Sequence, residues 1–363
     1  MNDTISTSYD EGWYSVAEIH TQHLLDNLSY LRRCVEPGIL QMAVIKADAY
    51  GHGAVATARV IADAVDWIGV YQVREGAELR ESGIDTPILV FGTPTPETAR
   101  FYLEYQLTAT VSCLEHFDIL YPGTSYHIKF DTGMGRVGFL PHMVDRVEKE
   151  IHAQPHLRYT GLMTHFADSE VVGSAIFAAQ QEAFADVAEK LGEHVTVHAA
   201  NSGATIHQAG VHFDMIRNGT ALYGFDPNGK VNPLLKPALT WHSKVSQIRR
   251  LPKGSGVSYS HTWHMPDDGN LAVIPVGYAD GLNRNLSNNM MVRIGDKYYP
   301  QVGNITMDQI MVYLGNDEVE SGSDVILLGG TDKTSAYVLA DFLGTITYEI
   351  TCMIGNRVRR IYT

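Results

Sequence analysis

The sequence predicts an α/β chain in two parts: an eight-stranded parallel barrel wrapped by helices, then a mainly β domain. Three observations predict it. Short apolar strand candidates alternate with amphipathic stretches through the first two thirds of the chain. The polar residues of most chemical interest fall at the ends of those strands. After Pro237 the pattern changes to strands separated by glycine turns.

The strand candidates begin near Met42, Asp66, Pro87, Thr108, Tyr126, Arg158, Val195 and Phe213. Short, mostly apolar runs are what strands buried on both faces require. Between them, residues 55–64, 75–82, 142–153 and 175–191 carry helical periodicity. Eight such units over roughly 200–250 residues suit a (β/α)8 barrel of the TIM type, and residues 13–239 are assigned to it. In such barrels the chemistry sits at the C-terminal strand ends. Lys46, Arg136, His165, Asn201-Ser202 and Arg217 all fall there.

Residues 240–251, 271–276, 290–294, 308–314 and 325–328 read as strands, with turns at Gly254-Ser255-Gly256 and Gly295-Asp296. Residues 335–343 are the only clear helix of this half. Residues 240–363 therefore form the mainly β domain, and residues 1–12 are a candidate addition to it. No flexible linker, internal repeat or low-complexity segment separates the parts.

Lys+Arg 27 against Asp+Glu 41 gives a net charge of −14. That sign opposes binding to nucleic acid or anionic membranes. No apolar run is long enough to span a bilayer, and the polar, acidic start lacks a signal-peptide pattern. Cys34, Cys113 and Cys352 are widely spread and form no CxxC, which suits a reducing, cytoplasmic setting. The 16 histidines include no HExxH and no Cys/His cluster, so no metal is expected. Most of them read as surface or local hydrogen-bonding residues.

Residues 42–53 read MAVIKADAYGHG. A lysine at the end of a buried strand is placed to be desolvated, which lowers an amine's pKa and makes it nucleophilic. Lys46 then reads as an amine that forms a Schiff base, or as a strand-end lysine whose head reaches solvent. Residues 131–138, DTGMGRVG, contain a GxGxxG spacing. The spacing follows the fifth strand, and Glu148 and Glu150 fall inside a helical pattern, so a dinucleotide reading is weak. Arg136 offers a planar fork that pairs with a carboxylate. Ser202 reads as a helix N-cap or an anion ligand.

These segments, with GLMTHFAD, HAANSGAT, MIRNGTALYG, KGSGVSYSHTW, PVGYADG and VGNITMDQ, resemble the bacterial alanine racemases, enzymes that use pyridoxal 5'-phosphate (PLP). The resemblance runs from Trp13 to about Arg360. It implies a fold-type III PLP enzyme that interconverts L- and D-alanine and supplies D-alanine for the cell wall. Lys46 would hold PLP and act as one base. Tyr259, from a second subunit, would act as the other, helped by a hydrogen bond from His165, which implies a head-to-tail homodimer with shared sites. Arg217 would bond the pyridine nitrogen. A guanidinium only donates, so that nitrogen stays unprotonated and the cofactor is a weaker electron sink, as suits racemisation. Tyr50, Ser202, Gly219 and Thr220 would bind the phosphate. Arg136 and the backbone N–H at Met307 would bind the substrate carboxylate. Lys129, often carbamylated in the family, would orient Arg136, with Tyr278 and Asp308 in support.

The chain departs from the family at three positions. Asn304 replaces an arginine, which changes the charge where substrate enters, and Thr306 replaces a cysteine or serine. Asn356 replaces a tyrosine that touches the PLP phosphate and closes the pocket. Asparagine is smaller and both donates and accepts, so it leaves room and a partner for a hydroxymethyl group. The serine racemases linked to vancomycin resistance resemble this chain there, and serine is the alternative substrate. A PLP decarboxylase of ornithine or lysine type is disfavoured by Arg217, because those enzymes recruit an acidic partner for the pyridine nitrogen. A single-barrel, non-catalytic PLP protein is disfavoured by the β domain with Tyr259. A nicotinamide dehydrogenase is the most distant reading.

Overall fold

The computed structural model describes residues 12–363, so all but Gly12 of the candidate N-terminal addition lies outside the described residues. The chain forms two compact units. One holds residues 24–49 and 53–235. The other holds residues 12–23, 50–52 and 236–363. Residues 13–23 group with the β unit rather than the barrel because Ser15–Ile19 pairs with Leu239–Lys244 on one side and Arg359–Tyr362 on the other.

In the first unit, eight parallel strands run Leu40–Val44, Trp67–Val70, Ile88–Val90, Ala109–Val111, Ser125–Lys129, Arg158–Met163, Thr196–His198 and Met215–Asn218. Each matches one expected strand. They form two four-stranded sheets, and backbone hydrogen bonds close both seams. Val90 N donates to Thr108 O at one seam, and Asp214 N donates to Val197 O at the other. The ring is a closed barrel. Part of its interior is an apolar cluster of the buried Met42, Leu89, Met163 and Met215. Helices Ala54–Ile61, Val73–Glu81, Val144–Ala153 and Ala175–Leu191 lie on the four stretches with helical periodicity.

The second unit is built on a nine-stranded sheet, antiparallel except where Ser15–Ile19 meets Arg359–Tyr362. Along Leu239–Lys244 buried and half-buried residues alternate, the pattern of a strand with one face on the core. The expected strand 240–251 is two strands, Leu239–Lys244 and Gln247–Leu251, paired with different neighbours. Several elements escaped the sequence reading, the strands Ser15–Ile19 and Arg359–Tyr362 among them. Lys297–Val302 is a strand although it contains Pro300, which pairs with Met291, while the ladder to Ile310–Gly315 uses only Gln301 and Val302. A proline is tolerated where no ladder bond is asked of it. Thr347–Cys352 is a second helix beside Ala336–Leu343, too short to show a period. Among the described residues no helix is long and apolar enough to cross a membrane.

Candidate active site

Lys46, Arg136, His165 and Ser202 follow the C-terminal ends of their strands, whereas Lys129 and Arg217 lie in the last residues of theirs. Lys46 comes directly after the fully buried Ile45. The chain then makes a left-handed turn: Ala47, Asp48, Ala49 and Tyr50 have φ of 54, 52, 53 and 55°. Non-glycine residues avoid this region at roughly 1–2 kcal/mol each, so the turn needs anchors. Asp48 closes its exit, accepting Ala54 N at 2.7 Å on its carboxylate and Gly53 N at 2.9 Å on its carbonyl. Glu75 holds its entrance, accepting Ala47 N at 2.7 Å. Nothing in the residue types announced this turn.

The glycine loop 131–138 is wrapped around its own aspartate. Asp131 Oδ1 accepts N–H bonds from Gly133, Met134 and Gly135 at 2.7–3.0 Å, and Oδ2 accepts Arg136 N at 2.6 Å. Burial pulls this carboxyl's pKa up, but the four N–H bonds outweigh it and hold the group below its usual range. The loop's donors are thus spent on a protein carboxylate, so the dinucleotide reading falls. What the loop does is fix the backbone of Arg136, whose side chain is exposed. Lys129, on the strand before, is buried. Burial, then the charges of Arg136, Arg217 and Lys46, bring its amine down to about 8 despite the opposing Asp131.

Arg217 is 4% exposed, and neutral acceptors surround it. Nη2 donates to Thr164 O at 2.8 Å and Ala199 O at 2.9 Å, and meets His165 Nδ1 at 3.2 Å. Nη1 meets His198 Nδ1 at 2.9 Å, and His198 Nε2 meets His127 Nδ1 at 2.8 Å. Because a guanidinium can only donate, both imidazoles must accept at Nδ1 and carry their proton on Nε2. Desolvation, then Arg217 and the other cations of the site, lower His165 well below 6.5. Burial followed by Arg217 does the same to His198 and takes His127 to about 3. All three are neutral at pH 7. Burial and Arg136 bring Arg217 to about 9, still charged there. His127 and His198 are exceptions to the reading of most histidines as surface or local hydrogen-bonding residues, being buried and bonded to partners far off in sequence. Each sits in a parallel strand, where both faces are buried, and that context was the available signal.

Ser202 is not the N-cap of its short helix. Asn201 caps it, accepting Ala204 N at 3.1 Å. Ser202 Oγ instead accepts Gly219 N at 3.0 Å, which leaves its O–H free to donate elsewhere. Thr220, next to Gly219, is buried with a hydroxyl that finds no partner among the described residues. Two such hydroxyls in a unit whose cations Lys46, Lys129, Arg136 and Arg217 reach one another electrostatically suit a phosphate.

In the β unit, Tyr50 packs edge-on against Tyr348 at 5.9 Å, and burial with Tyr348 pushes its phenol up, so it stays a donor. Arg360 donates to Gly51 O and to the carbonyls of Ile354, Gly355 and Val358, which ties the turn 50–52 to the segment carrying the exposed Asn356. Arg357 pairs with Asp308 at 2.9 Å and Asp280 at 3.3 Å. Tyr278 N and Ala279 N donate to the carbonyls of Thr306 and Met307, and an added Cβ at Gly277 would lie 2.3 Å from both of those oxygens. Tyr259 is 71% exposed. Its turn carries positive φ at Ser258, Ser260 and His261 and is held at Asn304, whose side-chain amide donates to Tyr259 O at 2.8 Å and whose backbone carbonyl accepts from Ser258 Oγ at 2.7 Å. Among the described residues no group of histidine, cysteine and carboxylate side chains could hold a metal ion.

The family models for the N-terminal and C-terminal domains of alanine racemase match residues 19–227 and 238–362. An alanine racemase of Synechocystis sp. is 38% identical, over 95% of this chain and 97% of its own. The solved alanine racemase of Clostridium difficile 630 superposes with a TM-score of 0.91 at 34% identity, covering 96% of each chain. That of Bartonella henselae, solved with covalently bound pyridoxal phosphate, has a TM-score of 0.88 at 27% identity, covering 96% of this chain and 99% of its own.

Proposed function

This chain belongs to the alanine racemase family, and we propose that it interconverts L- and D-alanine with PLP, with Lys46 and Tyr259 as the two bases. The observation that carries the reading is the barrel group itself: a strand-end lysine, a buried arginine bonded to two carbonyls and two neutral imidazoles, and hydroxyls suited to a phosphate. PLP, when bound, supplies the electron sink that lets the α-carbon lose its proton. Lys46 would hold it. Ser202, Gly219, Thr220 and Tyr50 would bind its phosphate, with Asn356 beside them, and Arg217 would donate to its pyridine nitrogen. Among the described residues no carboxylate bonds the Arg217 guanidinium, which disfavours the decarboxylase reading.

Lys46 takes or returns the proton on one face of the α-carbon. Tyr259 of the partner subunit does so on the other, in a homodimer. His165, neutral with its proton on Nε2, is able to donate to that phenolic oxygen and so ease its deprotonation. Arg136 and Met307 N–H bind the substrate carboxylate, with Tyr278 and Asp308 in support. Lys129 has a neutral fraction near pH 8 that could react with CO2, forming the N–C bond of a carbamate and releasing a proton. The product suits a cytoplasmic supply of D-alanine to the cell wall.

The test is a chiral assay of the purified, PLP-loaded protein with L-alanine and L-serine in parallel. D-alanine is expected as the main product, whereas bound PLP without D-alanine would overturn the reading. Asn356, small and polar where the family has tyrosine, supports a side activity on serine. Asn356→Tyr is expected to lower the serine-to-alanine ratio, and an unchanged ratio would remove serine from the account.

A further inference from the structure

We infer that Glu75 is a positioning residue for Lys46, holding the left-handed turn after it from the neighbouring βα unit. The inference rests on the reading of Lys46 as the PLP lysine. One carboxylate takes three backbone N–H groups from two loops. Oε1 accepts Ala47 N at 2.7 Å, and Oε2 accepts Tyr71 N and Gln72 N, each at 2.8 Å. Tyr71 and Gln72 lead into the helix Val73–Glu81, which follows the strand Trp67–Val70. That strand is the parallel neighbour of Leu40–Val44, which leads to Lys46.

A carboxylate capping its own helix would be spent on Tyr71 and Gln72 alone. Here its other oxygen leaves the helix and fixes the first residue after Lys46, where the chain enters φ values that alanine avoids. Charge-assisted bonds of this length are about twice as strong as neutral ones. They also act on the peptide that sets the direction of the lysine side chain. The lysine must stay in place whether or not it is covalently linked to PLP, and a strap on its backbone does not depend on that link. Glutamate suits the position because glutamine offers a single acceptor oxygen and would turn its NH2 toward one of the two loops.

The experiment compares wild type, Glu75→Gln, Glu75→Asp, Arg80→Lys and Lys46→Ala as full chains. It reads kcat, KM for alanine, melting temperature, and the rate at which the absorption of protein-bound PLP appears when PLP is added to apoprotein. Arg80 serves the same helix from its other end, donating to the carbonyls of Ile84, Thr86 and Tyr105. It therefore reports helix destabilisation alone. Aspartate keeps a charge for the helix turn but is too short to serve both loops, and it supplies a folded variant if glutamine does not.

The glutamine and aspartate variants are expected to lose about tenfold in kcat and to take up PLP more slowly, with KM little changed. That is the size expected when one hydrogen bond to a charged group is lost. Arg80→Lys is expected to lower the melting temperature without either effect. Glu75 variants that match Arg80→Lys in kcat and uptake would overturn the inference while Lys46→Ala still abolished the absorption. An absorption that survives in Lys46→Ala would overturn the reading of Lys46 itself.

Discussion

Lys46 and Tyr259 both sit beside backbone with positive φ, yet the two turns are held differently. The lysine turn begins at a buried strand and is pinned by two carboxylates, Glu75 at its entrance and Asp48 at its exit. The tyrosine turn lies in the β unit, leaves its side chain 71% exposed, and is held by the neutral amide of Asn304. Surroundings follow the same division. The barrel gives its site Arg217, two buried histidines and a carboxylate wrapped in four N–H groups, all partnered inside one unit. The tyrosine is presented outward, as a side chain that completes a site on another subunit would be. A base that also anchors a cofactor needs a fixed backbone, whereas a base supplied across an interface is fixed only when that interface forms.

The largest effect expected is at the anchored base. Lys46→Ala should lose both bound PLP and activity, the latter by about 10⁴-fold or more, read by the absorption of the protein and by D-alanine formation. Tyr259→Phe should lose roughly 10²–10⁴-fold in rate while keeping its PLP. Loss of PLP in the tyrosine variant would erase the distinction between the two turns. Asn304→Ala removes the side-chain bond to Tyr259 O, worth about 0.5–1.5 kcal/mol, and keeps the backbone carbonyl to which Ser258 Oγ donates. We expect a several-fold fall in kcat with PLP affinity unchanged. An unaltered kcat would mean that the turn is set without the Asn304 side chain.

The smallest effect is one of pH. The Lys129 amine has a folded pKa of about 8, against about 10.4 in an unfolded chain. Between these values the unfolded chain carries the extra proton, so stability rises with pH across that window. Below pH 8 the cost of keeping the charge buried is felt in full. In CO2-free buffer the melting temperature should therefore climb from pH 8 toward 10 more steeply in wild type than in Lys129→Met. Equal slopes would show that Lys129 is not buried as a free amine.

The barrel was legible because most of its strands are short and carry apolar residues next to one another, as strands buried on both faces do. The rim residues were legible because lysine, arginine and histidine at the ends of such runs lack a packing reason. Other features were not legible, for physical reasons. The left-handed turn at 47–50 is made by alanine, aspartate and tyrosine, none of which signals positive φ, and is stabilised by Glu75 from a distant segment. Asn201 and Ser202 are equally good caps by type, and only the contact of Ser202 with Gly219 separates their roles. The GxGxxG spacing suggested a loop open to a ligand, whereas the preceding Asp131 fills it. His127 and His198 looked ordinary because the hydrogen bonds that make them neutral relays come from strands far apart in sequence.

The most direct test of the division between the two turns is complementation. Lys46→Ala and Tyr259→Phe chains, each inactive alone, are co-expressed, and the mixed dimer is isolated by two different tags. If Tyr259 serves the partner's lysine, one site of the mixed dimer combines an intact Lys46 with an intact Tyr259, and D-alanine production from L-alanine returns. If both bases come from the same chain, every site carries a defect and the mixed dimer stays as inactive as its parents, which would contradict the shared site.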